Sequence, residues 1–183
     1  MRSAQPGPFA RRLVTALALL AFAAVPAAAA RPAPWKEFRS AQGGFVVLLP
    51  GEPSFDRKAM ATDFGSIDMH MYTVTTDSMY CSVAYYDVPT GVNKSADVLL
   101  DDTCSGFLKG ASLTEKAERR AIALGAHPGR ELIGESADGS FLLMARYYLV
   151  GKRIYLVMVG TAIADASKPE IGQYLDSFRL VRG

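Results

Sequence analysis

The sequence predicts an α+β fold: an αβα sandwich in which an antiparallel sheet of about six or seven strands carries helices packed on its faces. Three observations lead there. Short runs rich in β-branched and aromatic residues recur between Gly, Pro and Asp turn signals along most of the chain. Two of these runs, 141–150 and 153–160, are almost continuously apolar, the pattern of strands covered on both faces. Two other segments, 95–109 and 167–178, place apolar residues at helical spacing.

The elements follow in order. Residues 1–30 combine Arg11-Arg12, an apolar run over 13–25 and the small-residue stretch Ala27–Ala30, which is the pattern of a secretory signal peptide. The uninterrupted apolar part is shorter than the roughly 20 residues that a membrane span needs, so cleavage is expected rather than anchoring. The paired arginines match twin-arginine export only weakly, and no cysteine near the cleavage site supports a lipid anchor. Residues 31–40 read as an extended leader, because Pro32 and Pro34 disfavour helix in the residues before them; a short strand is available over 35–39. A single domain over 41–183 follows.

Within it, Gly43-Gly44 makes a turn into the apolar strand 45–49, closed by Pro50-Gly51. Segments 57–62 and 67–75 form a hairpin around Phe64-Gly65, and 79–88 is a strand ended by Pro89. The helix over 95–109 has Ser95 as N-cap, Asp97 in its first turn and Gly110 beyond its end, with Leu100, Cys104, Phe107 and Leu108 as its stripe. Segment 113–124 is a polar edge strand. His127-Pro128-Gly129-Arg130 is expected to be a tight turn, with Pro and Gly in the positions that such turns favour. After a strand over 131–135 come a turn at Asp138-Gly139, the two apolar strands joined at Gly151-Lys152, and a last helix presenting Ile171, Tyr174, Leu175 and Phe178.

Charge excludes some partners. The 183 residues hold 20 Lys+Arg and 18 Asp+Glu, but Arg2, Arg11 and Arg12 lie in the signal segment, which has no acidic residue. Residues 31–183 therefore balance at −1. Nothing in that balance favours nucleic acid or an anionic membrane surface. The mixed run 115–120 reads as a solvated strand face.

Four stretches carry a resemblance: 43–53 (GGFVVLLPGEP), 125–131 (GAHPGRE), 147–155 (YYLVGKRIY) and 174–180 (YLDSFRL). In this order, across nearly the whole of 31–183, they resemble the bacterial PsbP-like proteins, close in fold to the DcrB-like exported proteins. The resemblance implies an αβα sandwich and an exported, generally non-catalytic domain. It carries no catalytic residues, and a cysteine pair is not expected of the family.

The sequence offers few residues with chemistry. Cys81 and Cys104 are the only cysteines, and export to an oxidising compartment predicts one disulfide, with two buried free thiols as the alternative. The bond is favoured if the 95–109 helix covers the strand face holding Met79, Cys81, Val83 and Tyr85. It would close a loop of about 24 residues, stabilising the fold by roughly 3 kcal/mol. Met69-His70-Met71 suits copper by ligand type. Strand alternation, however, puts the thioethers on one face and His70 on the other, so a site would need Met60 or Met79 as well. Asp68, His70 and Tyr72 share a face as an acid–base surface. Arg130, with His127 in the same turn, is a candidate contact for an anionic ligand. The tyrosines of the central strands, Tyr85, Tyr86, Tyr147, Tyr148 and Tyr155, are numerous enough to line a pocket, but aromatics on central strands are more often core or helix-packing residues.

No zinc spacing, phosphate-cradling loop, dinucleotide fingerprint or nucleophile elbow occurs in the chain, so neither a cofactor nor an enzymatic activity is predicted. The expectation is an exported, periplasmic or secreted, bacterial accessory or binding protein of the cell envelope with a protein partner. The alternatives are a small-ligand carrier with a cavity between sheet and helix, then a hydrolase or metal-dependent enzyme using His70 or His127.

Overall fold

The computed structural model describes residues 35–62 and 65–181; the signal segment and Arg31–Pro34 of the leader lie outside the described residues. Eleven strands and two helices make an α+β fold: β1 (Lys36–Ser40), β2 (Phe45–Leu49), β3 (Ser54–Thr62), β4 (Gly65–Thr75), β5 (Met79–Asp87), α1 (Ala96–Ala111), β6 (Thr114–Glu115), β7 (Arg120–Leu124), β8 (His127–Glu135), β9 (Phe141–Val150), β10 (Arg153–Ala162), α2 (Pro169–Asp176) and β11 (Arg179–Leu180). The last five residues assigned by sequence to the leader are thus β1, paired along its whole length with β2.

The main sheet is larger than expected. It has eight strands in the order β3-β4-β5-β10-β9-β8-β6, with β7 also pairing β8 along the same edge. Every pairing is antiparallel. One face carries α1, whose Leu99, Leu100, Cys104 and Leu108 pack with Tyr86, Leu132, Tyr147 and Ile154. The other face carries α2 together with a second, three-stranded sheet, β1-β2-β11, so that helix and sheet share the cover. Phe45, Val47 and Leu49 of β2 and Ile171, Tyr174 and Leu175 of α2 pack with Cys81, Val83, Tyr85 and Val157. This two-sided cover is why β10 is buried at all but its two end residues and reads as one apolar run.

Two boundaries move for local reasons. The turn expected at 127–130 lies at Gly125-Ala126 instead, where Gly125 takes φ +60°. His127–Glu135 is all strand. Pro128 is tolerated there because it faces only Ala123 of β7, and the ladder with β9 starts one residue later, at Gly129. Helix α1 runs past Gly110 to Ala111 and is closed by Ser112 in the left-handed region, φ 55°; at its start the Ser95 hydroxyl accepts from the Val98 N–H.

Candidate functional site

Strand alternation sorts the candidate residues before any contact is considered. On β4, Ile67, Met69 and Met71 face α1, while Asp68, His70 and Tyr72 face the other way. Met79, offered as a further thioether, lies in the cluster on the opposite face from Met69 and Met71. Met60 is exposed on β3, and the nearest polar contact of Met71 is the Tyr80 hydroxyl, 3.9 Å from its sulfur.

The same rule separates the cysteines, which corrects the disulfide expectation. Cys81 points with Val83 and Tyr85 toward β2 and α2, whereas α1 covers the Ala84 and Tyr86 face. Cys104 on α1 is therefore across the sheet from Cys81, and both are free, buried thiols. Burial pushes both up to about 12. At pH 8 on the order of one thiol in 10⁴ is then ionised. The native protein should react only slowly with a thiol-specific disulfide reagent, and after unfolding two thiols per chain should titrate. A denatured, unreduced sample with no titratable thiol would contradict this.

Arg130 and His127 are also parted, since they are three residues apart on one strand. Arg130 reaches α1, where its Nε donates to Asp101 Oδ1 at 2.8 Å and its Nη2 to Asp97 Oδ1 at 2.7 Å. Both carboxylates hold the guanidinium, so it serves as a tether for α1 rather than as an open anion contact. The adjoining depression, lined by Asp101, Glu115, Glu118, Arg119 and Arg130, is similarly spoken for: Arg119 donates to both oxygens of Glu115 and to the Asp101 carbonyl. A second depression, about 350 Å³ between β8–β9 and α2, has an apolar floor of Ile133, Met144, Ile171 and Leu175. Its Arg146 is paired with Glu131 and Asp176.

The site with polar capacity left over is a cleft of about 390 Å³ on the β2 side of the main sheet. It forms because the pairings bring a row of residues into register across five strands: Arg57 (β3), His70 (β4), Tyr85 (β5), Tyr155 (β10) and Tyr148 (β9). The His70 ring stacks on Tyr85, with centroids 4.8 Å apart and planes 13° apart. From β10, the Arg153 guanidinium lies 4.8 Å from the same tyrosine's centroid. Arg153 is fixed by a two-pronged bond to Asp87, Nε to Oδ1 at 2.7 Å and Nη2 to Oδ2 at 3.0 Å. Arg57 is fixed by Asp68 at 2.7 Å.

Three tyrosines of this face converge below the turn between β1 and β2. Tyr155 donates its hydroxyl to the Gly43 carbonyl at 2.7 Å, and Tyr72 accepts from the Ser40 hydroxyl at 3.1 Å. Tyr85, between them, is only 2% exposed, yet its hydroxyl has no partner, nor does the buried His70 Nδ1. Buried polar atoms without partners are rare in folded proteins, and two in one cleft mark it. Burial, the largest influence, pushes the Tyr85 hydroxyl above its ordinary range, so it stays protonated and able to donate.

The Asp87 carboxyl is held below the usual carboxylate range, first by its hydrogen bonds from Arg153, with burial opposing. Its folded value lies below its unfolded one. The stabilisation from this pair is therefore complete above about pH 4, the ordinary carboxylate range, and is lost as pH falls through the lowered value. In Arg153→Met, the Asp87 carboxyl should titrate by NMR at a higher pH than in the parent; an unchanged midpoint would show that Arg153 is not the cause.

A nucleophilic site is not assembled here. Ser66 lines the cleft, but it lies four positions, about 13 Å, along β4 from His70. Among the described residues no carboxylate is hydrogen-bonded to His70, and its Nδ1 is unpartnered. His127 is half-buried at the start of β8, away from this cleft's lining. The sequence pointed to His70 and Asp68, and to Tyr85 among several tyrosines, but not to Arg57, Asp87 or Arg153. A partial signal for Arg153 was its place just after the Gly151-Lys152 turn, which starts a strand; its partner 66 residues away had none.

Among the described residues no helix is long and apolar enough to cross a membrane, and no group of three or more His, Cys, Asp or Glu could hold a metal ion. Neither a protein family nor a curated protein matches the chain by sequence. Solved structures do match. The solution structure of cyanobacterial PsbP from Synechocystis is similar at a TM-score of 0.60 and 14% identity, covering 83% of this chain and 95% of that one. A Pseudomonas aeruginosa protein of unknown function is similar at a TM-score of 0.39 and 14% identity, over 74% of this chain and 88% of that one. This first likeness, over most of both chains, shows that the protein has a PsbP-like fold.

Proposed function

We propose that this chain is an exported, non-catalytic domain that works as an accessory or binding protein of the bacterial cell envelope, and that it meets its partner at the His70–Tyr85 cleft. One observation carries the reading. The cleft keeps two buried polar atoms unpartnered while both of its carboxylates, Asp68 and Asp87, are tied to arginines. Such a site has hydrogen-bonding capacity for a partner but no poised acid, base or nucleophile for turnover. The PsbP-like fold supports the non-catalytic part, and the basic and apolar pattern of residues 1–30 supports export.

The test uses the full chain in an exporting host. Fractionation should place a protein with the mass of residues 31–183 outside the cytoplasm. Cross-linking in intact cells should join it to a defined envelope protein, and His70→Ala should weaken that product at least tenfold. An unprocessed chain retained in the cytoplasm would overturn the reading. So would a cross-link pattern that His70→Ala leaves unchanged.

A further inference from the structure

We propose that the His70–Tyr85 cleft receives a carboxylate, bound by the Tyr85 hydroxyl and the His70 Nδ1–H between the Arg57 and Arg153 guanidinium groups. The proposal rests on the cleft being the binding site and adds the chemistry of what enters it. Hydrogen-bond capacity decides between ligand classes. Asp68 and Asp87 already accept from arginines. What remains is on the donor side. The Tyr85 O–H is unused, the His70 Nδ1 donates when it carries the ring proton, and Arg57 gives only its Nη2 to Asp68. Arg153 gives Nε and Nη2 to Asp87, its Nη1 reaches the Gln42 carbonyl at 3.4 Å, and the Tyr155 hydroxyl lies close enough to hydrogen-bond with it as well.

A ligand rich in acceptors fits such a surplus. A carboxylate offers two oxygens to the two unpartnered groups and bonds more strongly to charged donors than a neutral acceptor does. An amide of the same shape would present N–H groups to donors. The aspartates keep the arginines in place and offset their charge, so the site selects by hydrogen-bond pattern more than by net charge. The cleft's volume of about 390 Å³ admits a small acid or the end of a peptide chain. Tyr85 is the residue that distinguishes this from a packing role, because beside it Tyr155 donates its hydroxyl to the β1–β2 turn and Tyr72 accepts from Ser40 at the end of β1, whereas the Tyr85 hydroxyl has no partner.

The experiment follows the His70 imidazole by NMR in the protein purified from an exporting host. Five probes are titrated: succinate, succinamide, orthophosphate, and a short peptide as its free C-terminal acid and as its C-terminal amide. Saturable shifts are expected with at least one acid, at least tenfold weaker with its amide. Tyr85→Phe should weaken the acid at least tenfold without lowering the melting temperature. Tyr147→Phe, which removes a buried unpartnered hydroxyl on the opposite face, should leave binding unchanged. Succinate binding without peptide binding identifies a free small acid; the reverse identifies a chain terminus. No saturable shift, equal binding of acid and amide, orthophosphate binding as tightly as the acids, or undiminished binding by Tyr85→Phe would each overturn the proposal. If the acids fail while the cross-link remains sensitive to His70→Ala, the ligand class is wrong and the binding-domain reading stands. If the cross-link is insensitive too, both fall.

Discussion

Gly129→Ala is expected to destabilise the fold by roughly 3 kcal/mol or more, the most of any one-methyl addition considered. A β-carbon at Gly129 would lie 2.4 Å from the Tyr147 backbone carbonyl and 2.7 Å from Cδ1 of Tyr148. Gly129 pairs directly with Tyr148 in the β8–β9 ladder, and that tyrosine stacks on Phe178 with planes 2° apart. The obstacle is backbone inside a sheet, so relief requires β8 and β9 to separate and their hydrogen bonds to lengthen. Gly160 makes the contrast. Its added carbon would meet the Phe141 ring at 2.4 Å, but that is the far end of a half-buried side chain that can swing, so Gly160→Ala should cost less. Denaturant unfolding checks both, with a fall in Tm of roughly 10 °C expected for Gly129→Ala. A loss below about 0.5 kcal/mol would mean that the ladder yields more easily than close packing allows.

Phe45→Ala should cost about 3–5 kcal/mol, the range for removing a fully buried aromatic ring. Phe45 is 0% exposed and stands at the centre of the layer between the two sheets. Its ring meets Phe38, Tyr72, Tyr85, Tyr155 and Phe178 at centroid distances of 5.6–6.3 Å. The loss combines transfer of the ring, a cavity that five neighbouring rings cannot all collapse into, and their edge-to-face contacts. The cleft should suffer with the core, because Tyr85 is supported by Phe45 on one flank and stacked by His70 on the other. Phe45→Leu should keep much of the stability. Equal losses for Leu and Ala would show that volume is not what Phe45 supplies.

A smaller effect of opposite sign is expected at the two buried hydroxyls without partners. Tyr85→Phe and Tyr147→Phe should each leave stability unchanged or raise it by about 1 kcal/mol, because a desolvated group with no bond is removed while the ring stays. A loss above about 1 kcal/mol at either position would mean that its hydroxyl is bonded in solution. At Tyr85 the gain should come with weakened ligand binding; at Tyr147, wholly buried under α1, it should come alone.

Periodicity made much of the fold legible. Short apolar and aromatic runs bounded by Gly and Pro located β2, β5, β9 and β10, and the Ser95 cap located α1, because these signals are local and each residue's neighbours enforce them. Alternation alone also placed His70 opposite Met69 and Met71. The misplaced turn at 127–130 shows the limit: Pro128 and Gly129 suit a turn, but Gly129 is there to let a neighbouring strand approach, which no local pattern announces. The three-stranded sheet was not anticipated, since β11 has only two residues and joins Arg179 to Val46 from the far end of the chain.

By itself the sequence determined the α+β class, the alternation on each strand, the near-neutral charge of residues 31–183 and the absence of a catalytic motif, all consequences of composition and short-range spacing. The tertiary structure alone decided which face each helix covers, and with it that Cys81 and Cys104 lie on opposite sides of the sheet. It alone brought Arg57, His70, Tyr85, Asp87 and Arg153 to one cleft. The physical reason is that hairpins set register between neighbours in sequence. The pairing of β5 with β10, which sets Arg153 against Asp87 across 66 residues, depends on the closure of the whole sheet and the burial of both its faces.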